Sequence, residues 1–177
     1  MNRLSDEPWN ILQSCRQLYR EAGVPHRLVE RDEEADYGSL LVGFEDVGRT
    51  GRSIQAEITF VPGLPSAAEG IHIVQIFVPT LAVDFVDVIP QDLYRFLNRL
   101  NVNVPIGSFG IMEEDRLVYF KATSIVDVRQ RAEWNARQID RCNGLLLHTH
   151  DLFLDAIEDV ATGALSFEEA AARASLY

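Results

Sequence analysis

The chain has little cysteine, no long apolar run and no concentration of basic residues. Its 177 residues include only two cysteines, Cys15 and Cys142, which stand alone without a C-x-x-C pattern or metal-ligand spacing. Lysine and arginine together number 16 against 27 aspartates and glutamates, so the formal net charge is −11. Because this charge repels phosphate backbones and anionic lipid surfaces, we expect neither a nucleic acid nor a membrane as a partner.

Targeting and catalytic motifs are also missing from the sequence. The N-terminus has no basic region followed by an apolar run, and no apolar stretch approaches the length of a membrane span, so we expect a cytoplasmic protein. The chain contains no G-x-S-x-G, no H-E-x-x-H and no cysteine with an identifiable histidine partner. We therefore expect a protein that is not an enzyme, with no catalytic residues, no bound metal and no cofactor.

The bulk composition is that of a folded domain of ordinary size. Hydrophobic residues make up 47% of the chain and charged residues 24%, which is enough apolar surface to build a core without disulfides. We found no internal repeat and no linker. The sequence therefore predicts one domain over residues 1–163, followed by a short helical tail over residues 164–177.

Periodicity in the first half predicts one helix followed by strands. Ile11, Cys15 and Leu18 recur at helical spacing within residues 6–22, and Gly23 follows as a stop. Strand-like stretches come next, at residues 24–31 (an edge strand), 40–44, 53–60 and 71–78 (a central strand), with a hairpin loop at residues 46–51. Connections of this length allow several strand orders.

The second half predicts a helix, two short strands and a long helix. A helix begins at Pro90, strands cover residues 107–112 and 116–123, and Asp115 lies in the turn between them. Asp127 is a candidate cap for a helix running to Ala161, which Asn143-Gly144 could break or bend. Ser166 and Glu169 have the spacing of a capping box, predicting a short, weakly anchored helix in the tail. The fold class is therefore α+β, with an antiparallel sheet flanked by helices.

The long C-terminal helix is apolar on more than one side. One face is marked by residues such as Ile139, Leu146 and Ile157, but further leucines lie elsewhere around the helix: Leu145, Leu147, Leu152 and Leu154. Such a helix needs a second cover, which in a small domain is often another subunit. We therefore expect a homodimer, or an unidentified protein partner, to contact these four leucines.

Other conspicuous residues have ordinary structural explanations. His148 and His150 would point about 200° apart on a helix and cannot chelate one ion there, and His72 fits a strand. Gly48-Arg49-Thr50-Gly51-Arg52 echoes a helicase string, but the chain lacks the matching phosphate loop, so we interpret it as a glycine turn before a strand. The acidic groups are typical of exposed loops: Asp84, Asp87, Glu113, Glu114 and Asp115.

One stretch carries a family likeness. The helix end Phe96-Leu97-Asn98-Arg99-Leu100-Asn101 is followed by Gly107-Ser108-Phe109-Gly110 and then by the apolar strand at residues 117–122. This L-N-x-x-N and G-x-F pattern resembles the centre of the YbjN-like family. The motif residues are Asn98, Asn101, Gly107 and Phe109. Apart from the family resemblance, an asparagine at a helix end favours a purely structural role. Asparagine tolerates the left-handed backbone conformation and can hydrogen-bond nearby carbonyl groups.

The resemblance implies a fold and a function. It implies a type III secretion chaperone-like fold, with helix, strands, helix, two strands and a long C-terminal helix. It also implies a dimeric, non-enzymatic protein-binding module, chaperone-like or regulatory, since YbjN-like members are described as putative sensory transduction regulators. Two alternatives stay open. One is a small-ligand-binding protein or enzyme whose unrecognised pocket uses His72, His148 or His150 near acids, and the other is a structural subunit of a larger assembly.

Overall fold

Ten helices and strands are seen in a computed structural model of the protein, which describes residues 6–30, 38–62, 70–83 and 89–174. In chain order they are α1 (Asp6–Glu21), β1 (His26–Val29), β2 (Ser39–Val47), β3 (Arg52–Phe60), β4 (Ile71–Ala82), α2 (Gln91–Asn101), β5 (Ser108–Met112), β6 (Leu117–Asp127), α3 (Ala132–Ala161) and α4 (Phe167–Ala174). This order confirms the predicted α+β class with a long C-terminal helix. The likeness to type III secretion chaperones stays a prediction.

The six strands form one sheet in the order β1-β2-β3-β4-β6-β5. The strands of the pairs β1–β2, β3–β4 and β5–β6 are antiparallel. Phe109 lies opposite Phe120 in the last of these pairs. The order makes β1 and β5 the two edge strands and places β4 inside the sheet, as the sequence predicted.

The chain divides into two compact units, each built from three stretches of sequence. The described residues of unit 1 lie within Met1–Phe44, Gln55–Phe77 and Ala122–Gly144, and those of unit 2 within Glu45–Ile54, Val78–Lys121 and Leu145–Tyr177. Several strands and α3 run through both units along the chain. The single domain over residues 1–163 stays a prediction.

Each unit has its own buried apolar residues. In unit 1 the strand β3 buries Ala56, Ile58 and Phe60 while its alternate residues are more exposed, which is the period-two pattern of a sheet covered on one face. In unit 2 the helix α2 buries Leu93, Phe96, Leu97 and Leu100 on one side, which is the spacing of an amphipathic helix. The strand predicted at residues 53–60 and the helix predicted to begin at Pro90 are therefore confirmed.

The start of α3 differs from the prediction. Asp127 does not cap this helix. It ends β6, its carboxylate pairs with Arg129, and the helix begins only at Ala132. The strand extends that far because its alternation continues beyond the predicted end at residue 123, where exposed Ile125 is followed by buried Val126.

Asn143-Gly144 neither breaks nor ends α3, which continues for 30 residues. Asn143 is buried, and its side-chain amide donates a hydrogen bond to the hydroxyl of Tyr19 on α1. A glycine inside a helix costs about 1 kcal/mol. The burial of Ile139 and Leu146 on either side offsets that cost, so packing overrides the local preference.

The tail helix α4 is anchored more firmly than predicted. The capping box is confirmed, because the Ser166 N–H and hydroxyl both donate to the Glu169 carboxylate at 2.9 and 2.8 Å. Yet α4 also binds α2: the N–H of Phe167 donates to Asp92 at 3.1 Å, and Arg95 lies 4.0 Å over the Phe167 ring. The expectation of a weakly anchored helix is therefore wrong.

Some sequence predictions fall outside the described residues. They concern the acidic residues Asp84 and Asp87. Among the helices of the four described ranges, none is both long enough and apolar enough to cross a membrane.

Candidate functional site

The motif of the family resemblance forms a structural joint between α2 and β5. The side chain of Asn101 donates from Nδ2 to the carbonyl oxygen of Phe109 at 2.9 Å, and its Oδ1 accepts from the Phe109 N–H at 2.8 Å. One amide side chain thus satisfies both backbone groups of one residue. Asn98, one helical turn earlier, is exposed.

This joint also closes part of a sheet edge. In an antiparallel pair, alternate residues direct their backbone N–H and C=O groups toward the neighbouring strand or away from it. Phe109 bonds Asn101 with both groups, and β5 is an edge strand, so Asn101 occupies backbone groups that another strand could otherwise bind. The side chain of Phe109 is buried against Phe120.

Gly107 is required at the entry to β5. Its φ is +69°, and a Cβ at this position would lie 2.6 Å from the carbonyl oxygen of Lys121 and 2.7 Å from the Phe120 ring. Neither distance is tolerated by a side chain. The three residues Asn101, Gly107 and Phe109 therefore set how the chain passes from α2 into the sheet.

The four leucines predicted as an interface lie on two sides of α3. Leu145 and Leu152, two helical turns apart, share one side. Leu145 is 43% exposed and Leu152 is half-buried. Leu147 and Leu154 share another side, where Leu147 is half-buried and Leu154 is fully buried. Leu154 belongs to the core and contributes no accessible surface. The candidate interface therefore consists of Leu145, Leu147 and Leu152.

Two neighbouring cavities share Leu152, Phe153 and Ala174, and we call them together the α3 groove. The larger, about 500 Å³, is completed by Arg99, Asn103, Pro105, His148 and Thr149. The smaller, about 280 Å³, is completed by Arg49, Asp151, Asp155, Ala156, Asp159 and Arg173. The groove therefore combines an apolar floor at Leu152 with charged residues at its rim, and all its residues belong to unit 2.

The turn between β2 and β3 binds the acidic side of α3. The N–H of Arg49 donates to the Asp155 carboxylate at 2.7 Å, the Thr50 hydroxyl donates to it at 3.3 Å, and the N–H of Gly48 donates to Asp151 at 3.0 Å. Gly48 has φ +70°, and a Cβ there would lie 3.0 Å from Asp155. The Gly48–Arg52 segment therefore forms a turn that binds α3. The sequence analysis predicted the turn but missed this binding role.

The turn also changes the acidity of Asp155. Burial by itself raises the pKa of this carboxyl, but the hydrogen bonds from the Arg49 backbone and guanidinium and from Thr50 outweigh burial and lower the pKa below its ordinary value. The Arg49 side chain is largely exposed, so its ion pair adds little by itself. A signal for this contact was present in the sequence. Aspartates recur there at every fourth position, Asp151, Asp155 and Asp159, which places a row of acidic side chains on one side of a helix.

His150 is a core residue of unit 2. It is fully buried, its Nδ1 lies 2.9 Å from the Leu146 carbonyl oxygen, and its Nε2 lies 3.1 Å from the Thr80 hydroxyl. A carbonyl only accepts, so Nδ1 carries the proton and Nε2 accepts from Thr80. Burial lowers the pKa of His150 to about 4, so the ring is neutral near pH 7. His150 therefore has the ordinary structural explanation that the sequence analysis favoured.

The remaining predicted histidines are placed apart. His148 is exposed and lines the α3 groove, on a different side of the helix from His150. His72 is half-buried, with its ring edge-on to Phe60 in unit 1. Within the described part of the chain, no three His, Cys, Asp or Glu side chains come together in a group that could hold a metal ion.

Comparison with known families matches residues 45–159 to the YbjN family, described as a putative bacterial sensory transduction regulator. This match covers well over half of the chain. The chain belongs to the YbjN family. No curated protein matches it closely enough to be named.

The YbjN match contains most of the features described above. It begins with the turn that binds Asp155, includes the Asn101 joint and ends near the end of α3. The resemblance derived from residues 93–123 is therefore confirmed. The family is described as a regulator and not as an enzyme family. Helix α1, strand β1 and the tail helix α4 lie outside the YbjN match, so the family description does not cover their surfaces.

Proposed function

We propose that this YbjN-family chain is a non-enzymatic protein-binding module, chaperone-like or regulatory, that works in the cytoplasm and takes a partner segment into the α3 groove. The observation that carries the proposal is the apolar side of α3, where exposed Leu145 lies two turns before half-buried Leu152, which lines both cavities. Apolar anchors that enter such a groove are a common mode of peptide recognition.

The rim of the groove supports a partner of particular charge. Arg99 and Arg173 lie at the rim, and Arg99 makes no ion pair or hydrogen bond with any other described residue. The larger cavity, which Arg99 lines, has no aspartate or glutamate among its described lining residues, although the chain as a whole carries a charge of −11. We propose a partner segment with an apolar anchor that contacts Leu152 and an acidic residue that pairs with Arg99.

Affinity capture from the native cell extract tests this proposal. The bait is the full chain, compared with Leu145→Asp/Leu152→Asp, with Arg99→Glu, and with Ile125→Asp as the matched control. Ile125 is 73% exposed on β6 in unit 1, so its variant also places a charge on an exposed apolar position. Circular dichroism and urea unfolding check that each variant is folded.

The expected result is a partner that the wild type and Ile125→Asp retain and that the two groove variants lose. An aspartate beside a buried apolar anchor leaves a charge without solvent, which costs several kcal/mol in binding. A partner captured equally by the double variant shows that the groove is not the binding surface. Loss with all three variants assigns the effect to general surface chemistry and contradicts the proposal.

A further inference from the structure

A separate cavity lies in unit 1, between α1 and β1. It has a volume of about 360 Å³ and is lined by Gln13, Arg16, His26, Arg27, Leu28 and Glu30. We call it the α1–β1 cavity. Its volume falls at the lower end of the range for small-molecule sites. It lies outside residues 45–159, so nothing in the family description assigns it a role.

Two arginines meet at this cavity from different elements. Arg16 comes from α1 and Arg27 from β1, and both are exposed. Among the residues that the structure describes, neither forms an ion pair or a hydrogen bond. Some other arginines have partners: Arg20 on the same helix donates to Gln17, and Arg52 pairs with Glu158. Two arginines without a partner among the described residues therefore line one cavity, in a chain whose net charge is −11.

Polar groups complete the lining. The imidazole of His26 is held by its Nδ1, which lies 2.8 Å from the Val24 carbonyl oxygen and therefore carries a proton. Gln13 is half-buried, and its side-chain amide can donate hydrogen bonds. Among the described residues that line the cavity, Glu30 is the one carboxylate. The described lining therefore has two arginines as charged donors against one carboxylate.

We propose that the α1–β1 cavity binds the phosphate group of a small phosphorylated molecule. Guanidinium groups match phosphate oxygens with paired, charge-assisted hydrogen bonds, and two of them from separate elements neutralise a dianion better than either alone. The cavity volume leaves room for a small organic part beside the phosphate. Free inorganic phosphate shares this chemistry, so the test distinguishes the two sources.

The competing explanation is that Arg27 only protects an edge strand. A charged residue on a short edge strand discourages pairing with other strands, and such a residue needs no ligand. This explanation gives no reason for Arg16 on α1 to matter. Joint dependence on both arginines therefore separates a binding site from edge protection.

Isothermal titration calorimetry on the full chain tests the site, with inorganic phosphate and glycerol 3-phosphate as probes at constant ionic strength. The variants are Arg16→Ala, Arg27→Ala and Glu30→Gln, and the matched control is Arg20→Ala, which removes an arginine of the same helix that does not line the cavity. Removing one charge-assisted hydrogen-bonding group should weaken binding roughly tenfold or more. Glu30→Gln should strengthen it, because a repelling carboxylate is removed.

Saturable binding that both cavity variants weaken and that Arg20→Ala preserves supports the site. Tighter binding of glycerol 3-phosphate than of phosphate assigns the organic source, and the reverse order assigns free phosphate. Absence of saturable binding of both probes to the wild type overturns the proposal. So does binding that Arg20→Ala weakens as much as Arg16→Ala, because that result reflects diffuse charge.

Discussion

At the scale of single residues, Asn101 and Asn98 share a helix but have different surroundings. Asn101 satisfies both the N–H and the C=O of Phe109, and Asn98 is exposed. Asn101→Ala should lower the free energy of unfolding by about 1–3 kcal/mol, because two backbone groups of a buried residue lose their partner. Asn98→Ala is the matched control and should change it by less than about 0.5 kcal/mol.

Urea unfolding of the two asparagine variants measures this difference. Equal stabilities would mean that the Asn101 joint is replaced by water at no cost, and the structural role assigned to the motif would be wrong. The role of the motif was partly predictable. Asparagine at a helix end indicates a local hydrogen bond, but the partner, Phe109, is fixed only when β5 folds back beside α2.

His150 should make stability depend on pH. Its folded-state pKa of about 4 lies below the ordinary 6.5, so the unfolded chain binds the proton more readily. The contribution of the neutral buried ring is complete above about pH 6.5 and is lost progressively as the pH falls toward about 4. The loss should be on the order of 3 kcal/mol over this range.

Urea unfolding at a series of pH values tests the histidine prediction. His150→Gln should remove that part of the pH dependence, whatever its effect on stability near neutral pH. His148→Gln, two residues earlier on the same helix and exposed, should leave the dependence in place. An unchanged slope in His150→Gln would show that other groups cause the acid sensitivity.

At the scale of secondary-structure elements, α4 depends on its cap and on its contacts with α2. Ser166→Ala with Glu169→Gln removes the reciprocal bonds of the capping box, and the loss of a cap costs about 0.5–2 kcal/mol. We expect faster amide hydrogen exchange within Phe167–Ala174 and nearly unchanged exchange in α2. Glu168→Gln, which affects only an exposed pair with Arg95, is the control and should leave α4 protected.

Protection of α4 that is unaffected by loss of the cap would show that packing on α2 alone holds it. The cap itself was visible in the sequence, because it needs only a serine and a glutamate three residues apart. The contacts of Phe167 and Glu168 with α2 were not, since they join residues about 75 positions apart in the chain.

The boundaries of helices and strands were also predictable only in part from the sequence. The periodicity of apolar residues located α1, β3 and α2 closely, because one buried face repeats at fixed spacing. The beginning of α3 and its passage through Asn143-Gly144 were harder to predict. Both depend on which residues become buried, and tertiary packing then outweighs the local preference of an aspartate to cap or of a glycine to interrupt a helix.

At the scale of the whole molecule, the predicted homodimer is still to be measured. We expect sedimentation equilibrium to give twice the chain mass, and Leu145→Asp/Leu152→Asp to shift the protein to the monomer, because a charge on α3 cannot be desolvated at an apolar interface. Ile125→Asp, a control at an exposed apolar position in unit 1, should remain dimeric.

A monomeric wild type at concentrations well above the micromolar range would refute the dimer and leave the groove to another partner. A dimer that the double variant leaves intact would place the subunit contact elsewhere on the chain. The affinity capture uses the same double variant, so a lost partner is assigned to the groove only where Arg99→Glu, which leaves Leu145 and Leu152 in place, loses it as well.

The sequence by itself determined the α+β class, the position of most helices and strands, the capping box of α4 and membership of the YbjN family. These features depend on local periodicity and short motifs, which a linear chain records directly. Only the tertiary structure decided that Leu154 is core, that the Gly48–Arg52 turn binds the acids of α3, and that Arg16 and Arg27 meet at one cavity. Those facts depend on which distant segments become neighbours, and side-chain burial and charge pairing are set by those neighbours.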